Sequence, residues 1–454
     1  MQPEQMTGVS DSCATMCRSS RTREGALGLS LGRDRFVFFC LALFAFTASF
    51  SIFLSNFFFY FAMTVYAVSY FMKRETFHFS RIYTVMLLFV AANAAAFFAG
   101  GNGFADIGKI KNVMCFFGFM IAYEKASVLL DKNLFMFIIQ ATNAALLLFG
   151  IAVHSAGLTS TYLFQDFANW TNQYSGLFSI SITYAEYLVM AQIISVSILV
   201  FARDSFGSNL KRGFFIAFVA VNFVALVLTY SRGPWLAMAF ALVMIFLKMN
   251  RRFAVVIVLL MALSFAAILS PPAASVPLVS DVRTRINMTL SGYSSGREVI
   301  YAVGMKIIRD HPLFGVGIGG VERLYPEYLK ALPDVNENEK KMLLKQHMVF
   351  GHLHNAYLQI WAETGIFGLS VFLALIFLAT SRVLAGTPAA AAEGVDPAFR
   401  FGVFTAIIAM CIMGLTEYNF FHNEISRIFW FYIGMAYAAS DGRSRRAGCP
   451  AVER

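Results

Sequence analysis

The chain is a succession of long apolar runs separated by short polar joints. The runs cover about 36–53, 55–72, 79–99, 112–130, 133–153, 177–201, 213–230, 234–249, 253–270, 356–381, 399–417 and 425–440. Most are near 18 residues or longer, the length at which a helix crosses about 30 Å of hydrocarbon. The alternating ten-residue segments of a membrane β-barrel are not the pattern here. The fold class expected is therefore an all-α polytopic membrane protein with about 12 transmembrane helices. Ser51, Ser55 and Asn56 are the turn signals that divide 36–72, and Glu124 and Lys125 interrupt the run at 112–130.

One joint is long. Residues 271–355 separate the ninth run from the tenth and carry helical periodicity of their own. Ser294 and Ser295 are placed to cap a helix from Gly296 to about Arg309, with Val299, Ile300, Val303, Ile307 and Ile308 as its apolar stripe. His311 and Pro312 end it. A second helix is expected over Val321–Ala331, and a third, capped by Asp334, reaches Val349. These read as helices lying on the membrane surface.

Composition agrees with a membrane location. The 454 residues are 58% hydrophobic and 14% charged, with a mean hydropathy of +0.64, against about 25% charged residues in soluble proteins. The net charge of +10 does not point to nucleic acid, because most Lys and Arg sit between runs, where they set topology. With the N-terminus inside, the inside joints hold Lys73, Arg74 and Arg81, Lys125 and Lys132, Arg203, Lys211 and Arg212, Lys248, Arg251 and Arg252, Arg382 and Arg400. The outside joint at 154–176 holds no Lys or Arg, and Lys109 and Lys111 at 100–111 are the exception. This places the long loop 271–355 outside. Residues 1–34 read as a disordered cytoplasmic tail, followed by a run too long for a signal-peptide core, and 441–454 as a second cytoplasmic tail. The scattered cysteines suggest no zinc or redox site.

Chemistry concentrates at the outer face. Thr229-Tyr230-Ser231-Arg232-Gly233-Pro234-Trp235 joins two runs with almost no loop. Gly233 permits a tight turn and Pro234 suits the first position of the next helix. Arg232 is then pinned at the outer boundary. An Arg near a helix end is often a snorkelling anchor, but a fixed guanidinium with five donors also suits a phosphate or pyrophosphate. Arg297, in the first turn of the loop helix, opposes the helix dipole. Alone it reads as surface charge, and with the helix N-terminus it can help hold phosphate. His352 and His354 precede a membrane helix, where a neutral imidazole is a competent general base or else a capping residue. As ligands they lack a third and fourth partner of suitable spacing, so no metal and no cofactor is expected. Asn355 is placed to cap the following helix. Glu363, about 13 Å further along that helix, needs a partner or a cavity at such depth, and Glu186, Asn222 and Glu417 raise the same question. Gly315-x-Gly317-x-Gly319-Gly320 follows no strand and reads as a flexible, close-packing turn, not a nucleotide fingerprint.

Three blocks together resemble the O-antigen ligase and O-antigen polymerase superfamily of bacterial envelope glycosyltransferases. They are Ser231-Arg232-Gly233-Pro234-Trp235, Gly296-Arg297 continuing to His311-Pro312-Leu313-Phe314-Gly315-Val316-Gly317, and His354-Asn355-Ala356-Tyr357-Leu358 continuing to Glu363-Thr364-Gly365-Ile366-Phe367-Gly368. The resemblance covers about 213–375, between N-terminal helices at 35–212 and C-terminal helices at 376–440. It implies a GT-C-like membrane fold and a metal-independent, inverting glycosyltransferase of the bacterial inner membrane. The donor implied is a glycan on undecaprenyl pyrophosphate, and the acceptor is a hydroxyl on lipid A–core or another glycan, met at the periplasmic face. It further implies that Arg232 and Arg297 bind the pyrophosphate and that His354 is the general base. Ser231, His311, His352, Asn355 and Glu363 are the remaining candidate substrate contacts. Tyr301 departs from the family pattern, where Trp is common, as does Gln173 near the Tyr174-Ser175-Gly176 segment, where an Arg is common.

Two neighbouring readings belong to the same class: a repeat-unit polymerase and a protein O-oligosaccharyltransferase. A small-solute transporter is the reading from a different class. Against it, the polar residues gather at one face and not at the midplane, where transporters bind substrate.

Overall fold

The computed structural model describes residues 34–72, 77–100, 113–126, 131–156, 164–167, 170–178, 180–270, 272, 275, 277–290, 296–333, 335–385, 395–422 and 424–440. Residues 1–33 and 441–454, expected as tails, lie outside the described residues, as do Lys73, Arg74, Lys109 and Lys111.

The protein is a helical membrane bundle. Helix α1 covers residues 34–47, α2 Ile52–Phe71, α3 Arg81–Ala99 and α4 Phe116–Ile121, which runs on as a π-helical turn over Ala122–Ala126. Then follow α5 Lys132–Ser155, α6 Ser181–Phe201, α7 Asn209–Leu228, α8 Arg232–Met249 and α9 Arg251–Leu269. The long loop holds α10 Pro277–Leu290, α11 Arg297–Asp310, α12 Gly320–Lys330 and α13 Glu337–Phe350. The bundle resumes with α14 Ala356–Leu384, α15 Val395–Met413 and α16 Ser426–Ser440. Among the described residues, eight helices are long and apolar enough to cross a membrane: α2, α3, α5 to α9 and α14. The other four expected spans, at α1, α4, α15 and α16, are helices with shorter apolar stretches. Polar groups mark where they stop. Ser51 Oγ accepts from the Leu54 N–H at 3.2 Å and caps α2, so the 36–72 run does divide there. Glu124 lies in the π-turn, and Glu417 follows α15.

One element was not expected. Within the joint at 154–176, β1 (Phe164–Phe167) and β2 (Trp170–Tyr174) pair antiparallel, with Phe164 opposite Tyr174.

Helix α6 is the axis of the bundle. Its apolar window is 83% buried, against 6% for the peripheral α9. Apolar contact alone gains little in lipid, so small residues and polar ties hold such helices together. Tyr187 OH lies 2.9 Å from Ser49 Oγ, and Tyr184 OH donates to Asn143 Oδ1 at 3.0 Å. Ser195 Oγ accepts from Gln140 Nε2 at 2.9 Å, and Asn222 Nδ2 donates to Gln140 Oε1 at 2.6 Å. Asn222 is thus consumed in packing.

The loop helices close a second hydrophobic core. Ile300, Val303, Ile307 and Ile308 of α11 meet Val321, Tyr325 and Leu329 of α12, with Leu353 and Ala362 completing it. The apolar stripe expected for α11 is the one buried here. The helices therefore pack on one another and on the start of α14, instead of lying singly on a surface. The N-cap of α11 is Gly296 (φ 77°), with no side-chain cap hydrogen bond; Ser294 and Ser295 lie outside the described residues. Asn336 caps α13, its Oδ1 accepting from the Glu339 N–H at 2.9 Å, and the expected cap Asp334 also lies outside them.

The glycine run is a fixed clamp, not a flexible turn. The Val316 and Gly317 N–H groups donate to the Ala362 and Glu363 carbonyls at 2.9 Å each, and the Ile366 N–H donates to Pro312 O at 2.9 Å. Gly365 (φ 67°) kinks α14 to admit the clamp: a Cβ there would lie 1.9 Å from Leu313 O.

Candidate active site

Arg232 is the first residue of α8, and the turn before it is sharper than the sequence suggests. Tyr230 takes a left-handed conformation (φ 51°), and Ser231 is the N-cap. The helix starts two residues earlier than Pro234 implies. Pro234 sits in the first turn, where a missing N–H leaves no helical bond unmade. Gly233 is helical and serves a close approach: a Cβ there would lie 2.9 Å from Thr416 Oγ1. The Arg232 turn is therefore packed on the segment that follows α15. Ser231 Oγ donates to Thr229 O at 3.2 Å, and the residue is 6% exposed. It builds the turn and gives α8 no side-chain cap.

Arg297 opens α11 in the same way, as the first residue after an N-cap without a side-chain bond. Two helices thus present an arginine together with the positive end of the helix, where cations are disfavoured and anions attracted. Arg297 meets one anion inside the protein: its Nη2 lies 2.7 Å from Glu417 Oε1. The other oxygen, Glu417 Oε2, lies 3.2 Å from His354 Nδ1. Glu417 is 8% exposed, and the Arg297 and His354 side chains are 30% and 19% exposed. The surface-charge reading of Arg297 is therefore corrected.

An ionised carboxylate only accepts hydrogen bonds. A carboxylate in this place is matched by a proton on His354 Nδ1, the tautomer in which Nε2 is the basic nitrogen. His352 is tied differently: its Nδ1 accepts from the His354 backbone N–H at 3.2 Å, and the two rings lie 4.4 Å apart. His354 itself is left-handed (φ 49°). It and Tyr230 are the only non-glycine residues with positive φ among the described residues, a strain on the order of 1–3 kcal/mol each.

The strain at His354 is held from several sides. Tyr301 OH bridges His354 O and Leu415 O at 3.2 and 3.3 Å. Burial pushes the Tyr301 phenol up, Arg297 opposes and Glu417 adds to that shift, and a hydrogen bond with Asn355 lowers it. The phenol therefore stays a donor. Asn355 caps α14 as expected, its Oδ1 accepting from Tyr357 and Leu358 N–H at 3.0 Å each, while its Nδ2 donates to Leu415 O at 3.0 Å. The Ala356 N–H donates to Gly414 O at 2.8 Å. The strip from Gly414 to Glu417 is thus the common support of Arg232, Arg297 and His354.

Two expected contacts lie elsewhere. His311 is the exposed C-cap of α11, at the far end from Arg297, about 20 Å away at 1.5 Å per residue. Glu363 is 6% exposed, and its Oε1 accepts from the Gly319 N–H at 2.8 Å and from Gln359 Nε2 at 2.9 Å. Gln359 Oε1 in turn accepts from the Leu353 N–H at 2.9 Å. The carboxylate thus links the glycine clamp to the histidine segment. The residue that sequence reasoning undervalued is Glu417, a carboxylate at the end of an apolar run.

Residues 213–373 match the Wzy_C family model, O-antigen ligase. The matched segment covers 161 of the 454 residues. It holds Arg232, Arg297 and His354, whereas Glu417 lies beyond it. The family implies a glycosyltransferase-like ligase or polymerase acting on O-antigen-type glycans. No curated protein matches the chain.

Proposed function

We propose that the protein transfers a glycan from undecaprenyl pyrophosphate to an acceptor hydroxyl, on lipid A–core or another glycan, at the periplasmic face of the bacterial inner membrane. The observation that carries this reading is the Glu417 carboxylate, which binds Arg297 through one oxygen and the imidazole of His354 through the other. A phosphate-binding cation and a base are thereby held together, beside the Arg232 turn.

In this reading the donor's pyrophosphate lies against Arg232, Arg297 and the N-termini of α8 and α11. Nε2 of His354 takes the proton of the acceptor hydroxyl, and its oxygen attacks the anomeric carbon from the face opposite the pyrophosphate. The bond from that carbon to the pyrophosphate oxygen breaks, and the configuration inverts. The departing lipid pyrophosphate carries the new charge, which the two guanidinium groups stabilise through fixed dipoles and cations. Glu417 offsets the imidazolium formed, as an orienting carboxylate does in a catalytic triad.

A strain lacking the protein tests the reading. The lipopolysaccharide should lose every glycan-bearing band and retain free core. Survival of single-repeat bands would turn the assignment to a repeat-unit polymerase, and an unchanged pattern would remove lipid A–core as the acceptor.

A further inference from the structure

The turn between α11 and α12 carries apolar side chains that the protein itself leaves uncovered. Leu313 is 52% exposed and Phe314 50%, and Pro312 beside them is exposed as well. These residues continue a larger surface. The Phe314 ring lies 5.6 Å from that of Phe367 on α14. Ile366, Phe367, Leu373 and Phe377 are exposed too, and the spacing of Ile366, Leu373 and Phe377 puts them on one face of the helix. Because α14 is long and apolar enough to cross a membrane, that face meets lipid.

Two helices measure how deep the turn lies. Leu313 O packs against Gly365, where a Cβ would collide with it. Gly365 is 17 residues from the exposed Arg382 near the other end of α14, about 26 Å at 1.5 Å per residue. Val316 O packs in the same way against Gly100, the C-cap of α3. Gly100 is 19 residues from the exposed Arg81 that opens α3, about 28 Å. Cations at helix ends mark the polar boundary, and the hydrocarbon beyond it is about 30 Å thick. Both helices therefore put the turn just inside the far edge of the hydrocarbon, and helix tilt only takes it deeper.

Irregular backbone at that level needs its polar groups met by protein, because lipid offers no hydrogen bonds. The turn and the kink in α14 supply them to each other. In an unbroken helix the Ile366 N–H would donate to Ala362 O. Here it donates to Pro312 O, and Ala362 O accepts from the Val316 N–H instead, both at 2.9 Å. The Gly317 N–H donates to Glu363 O at 2.9 Å, the Gly315 N–H to His311 O at 3.2 Å and the Gly319 N–H to Glu363 Oε1 at 2.8 Å. These polar groups turn inward, while Leu313 and Phe314 point out beside the lipid-facing stripe of α14.

We propose that Pro312–Phe314 is a re-entrant wedge seated among the acyl chains of the leaflet on the long loop's side, so that part of this loop lies within the bilayer. Glu363, Gln359 and the Leu353 N–H tie the wedge to the histidine segment, and its insertion holds the loop helices against the bundle. The wedge stands whether or not the protein transfers a glycan.

The test uses the wild-type full chain in phosphatidylcholine nanodiscs doped with a phospholipid that carries a diazirine on its acyl chain near the headgroup. After irradiation, mass spectrometry of the peptides is expected to find lipid adducts on Leu313 or Phe314 as well as on the α14 stripe. Adducts on the stripe with none at 312–314 would overturn the wedge. A nitroxide on Phe314→Cys, with the native cysteines changed to alanine, gives a second measurement. Its relaxation should respond to oxygen more than to a water-soluble nickel chelate, as at Phe377→Cys, with the reverse order at Lys341→Cys on the exposed side of α13. A chelate response equal to that of Lys341→Cys would place the turn in water and sink the proposal. Spin–spin broadening with both reagents shut out would show a second copy of the chain on this surface, and would sink it equally.

Discussion

The Arg297 guanidinium lies 2.7 Å from Glu417 Oε1, across 120 residues of chain. The pair joins a helix of the long loop to the segment between α15 and α16, and it makes the position of His354 depend on both.

His354→Ala is expected to lower the transfer rate by about 10²–10⁴-fold, the usual contribution of a general base, with protein abundance unchanged. His352→Ala should cost far less, because His352 Nδ1 serves the His354 backbone. Single-turnover transfer by the two purified variants compares them, and equal losses would remove the distinction.

Glu417→Gln keeps the side-chain size and removes the charge shared by Arg297 and His354. Each charge-assisted bond is worth ~1.5–3 kcal/mol, so kcat should fall about 10–100-fold. Glu417→Asp should restore part of it. A Gln variant of wild-type kcat would show that the carboxylate only holds the fold.

Arg232→Lys and Arg297→Lys keep charge but lose the planar fork that matches a pyrophosphate. Both should weaken donor use, and Arg232→Ala should lose about 10²–10³-fold in kcat, the scale of one lost electrostatic stabiliser. Initial rates at varied donor concentration separate binding from chemistry.

Gly365→Ala is expected to destabilise by about 2–4 kcal/mol, since its Cβ has no room beside Leu313 O and its φ of 67° suits glycine. Gly207→Ala is the control: φ is 70° there, but nothing lies within 4 Å, so only about 1 kcal/mol is at stake. Thermal unfolding in detergent ranks the two, and similar Tm values would refute the clamp.

The His422 imidazole is held below its ordinary value by burial, against Glu424 and Glu417, which raise it. The folded protein therefore binds this proton more weakly than the unfolded chain. Stability is full above the unfolded value of about 6.5 and falls as pH drops through the folded value. The Tm of wild-type protein should fall more between about pH 7 and pH 5 than that of His422→Gln.

The membrane-helical class, the division at Ser51, the stripe of α11 and the Asn355 cap were legible in the sequence. Each depends on residues within one or two turns of one another, so periodicity and local hydrogen bonding suffice to read them. The sequence also supplied Arg232, Arg297 and His354 as candidates through local motifs. That Glu417 joins two of these, that Gly233 packs against Thr416 and that Glu363 faces the glycine clamp follows from the packing alone. Those relations cross 44 to 183 residues of chain. A lone carboxylate in an apolar run looks the same whether it faces lipid, a neighbouring helix or a base. What distinguishes the cases is the partner brought to it by packing, and no local pattern encodes that.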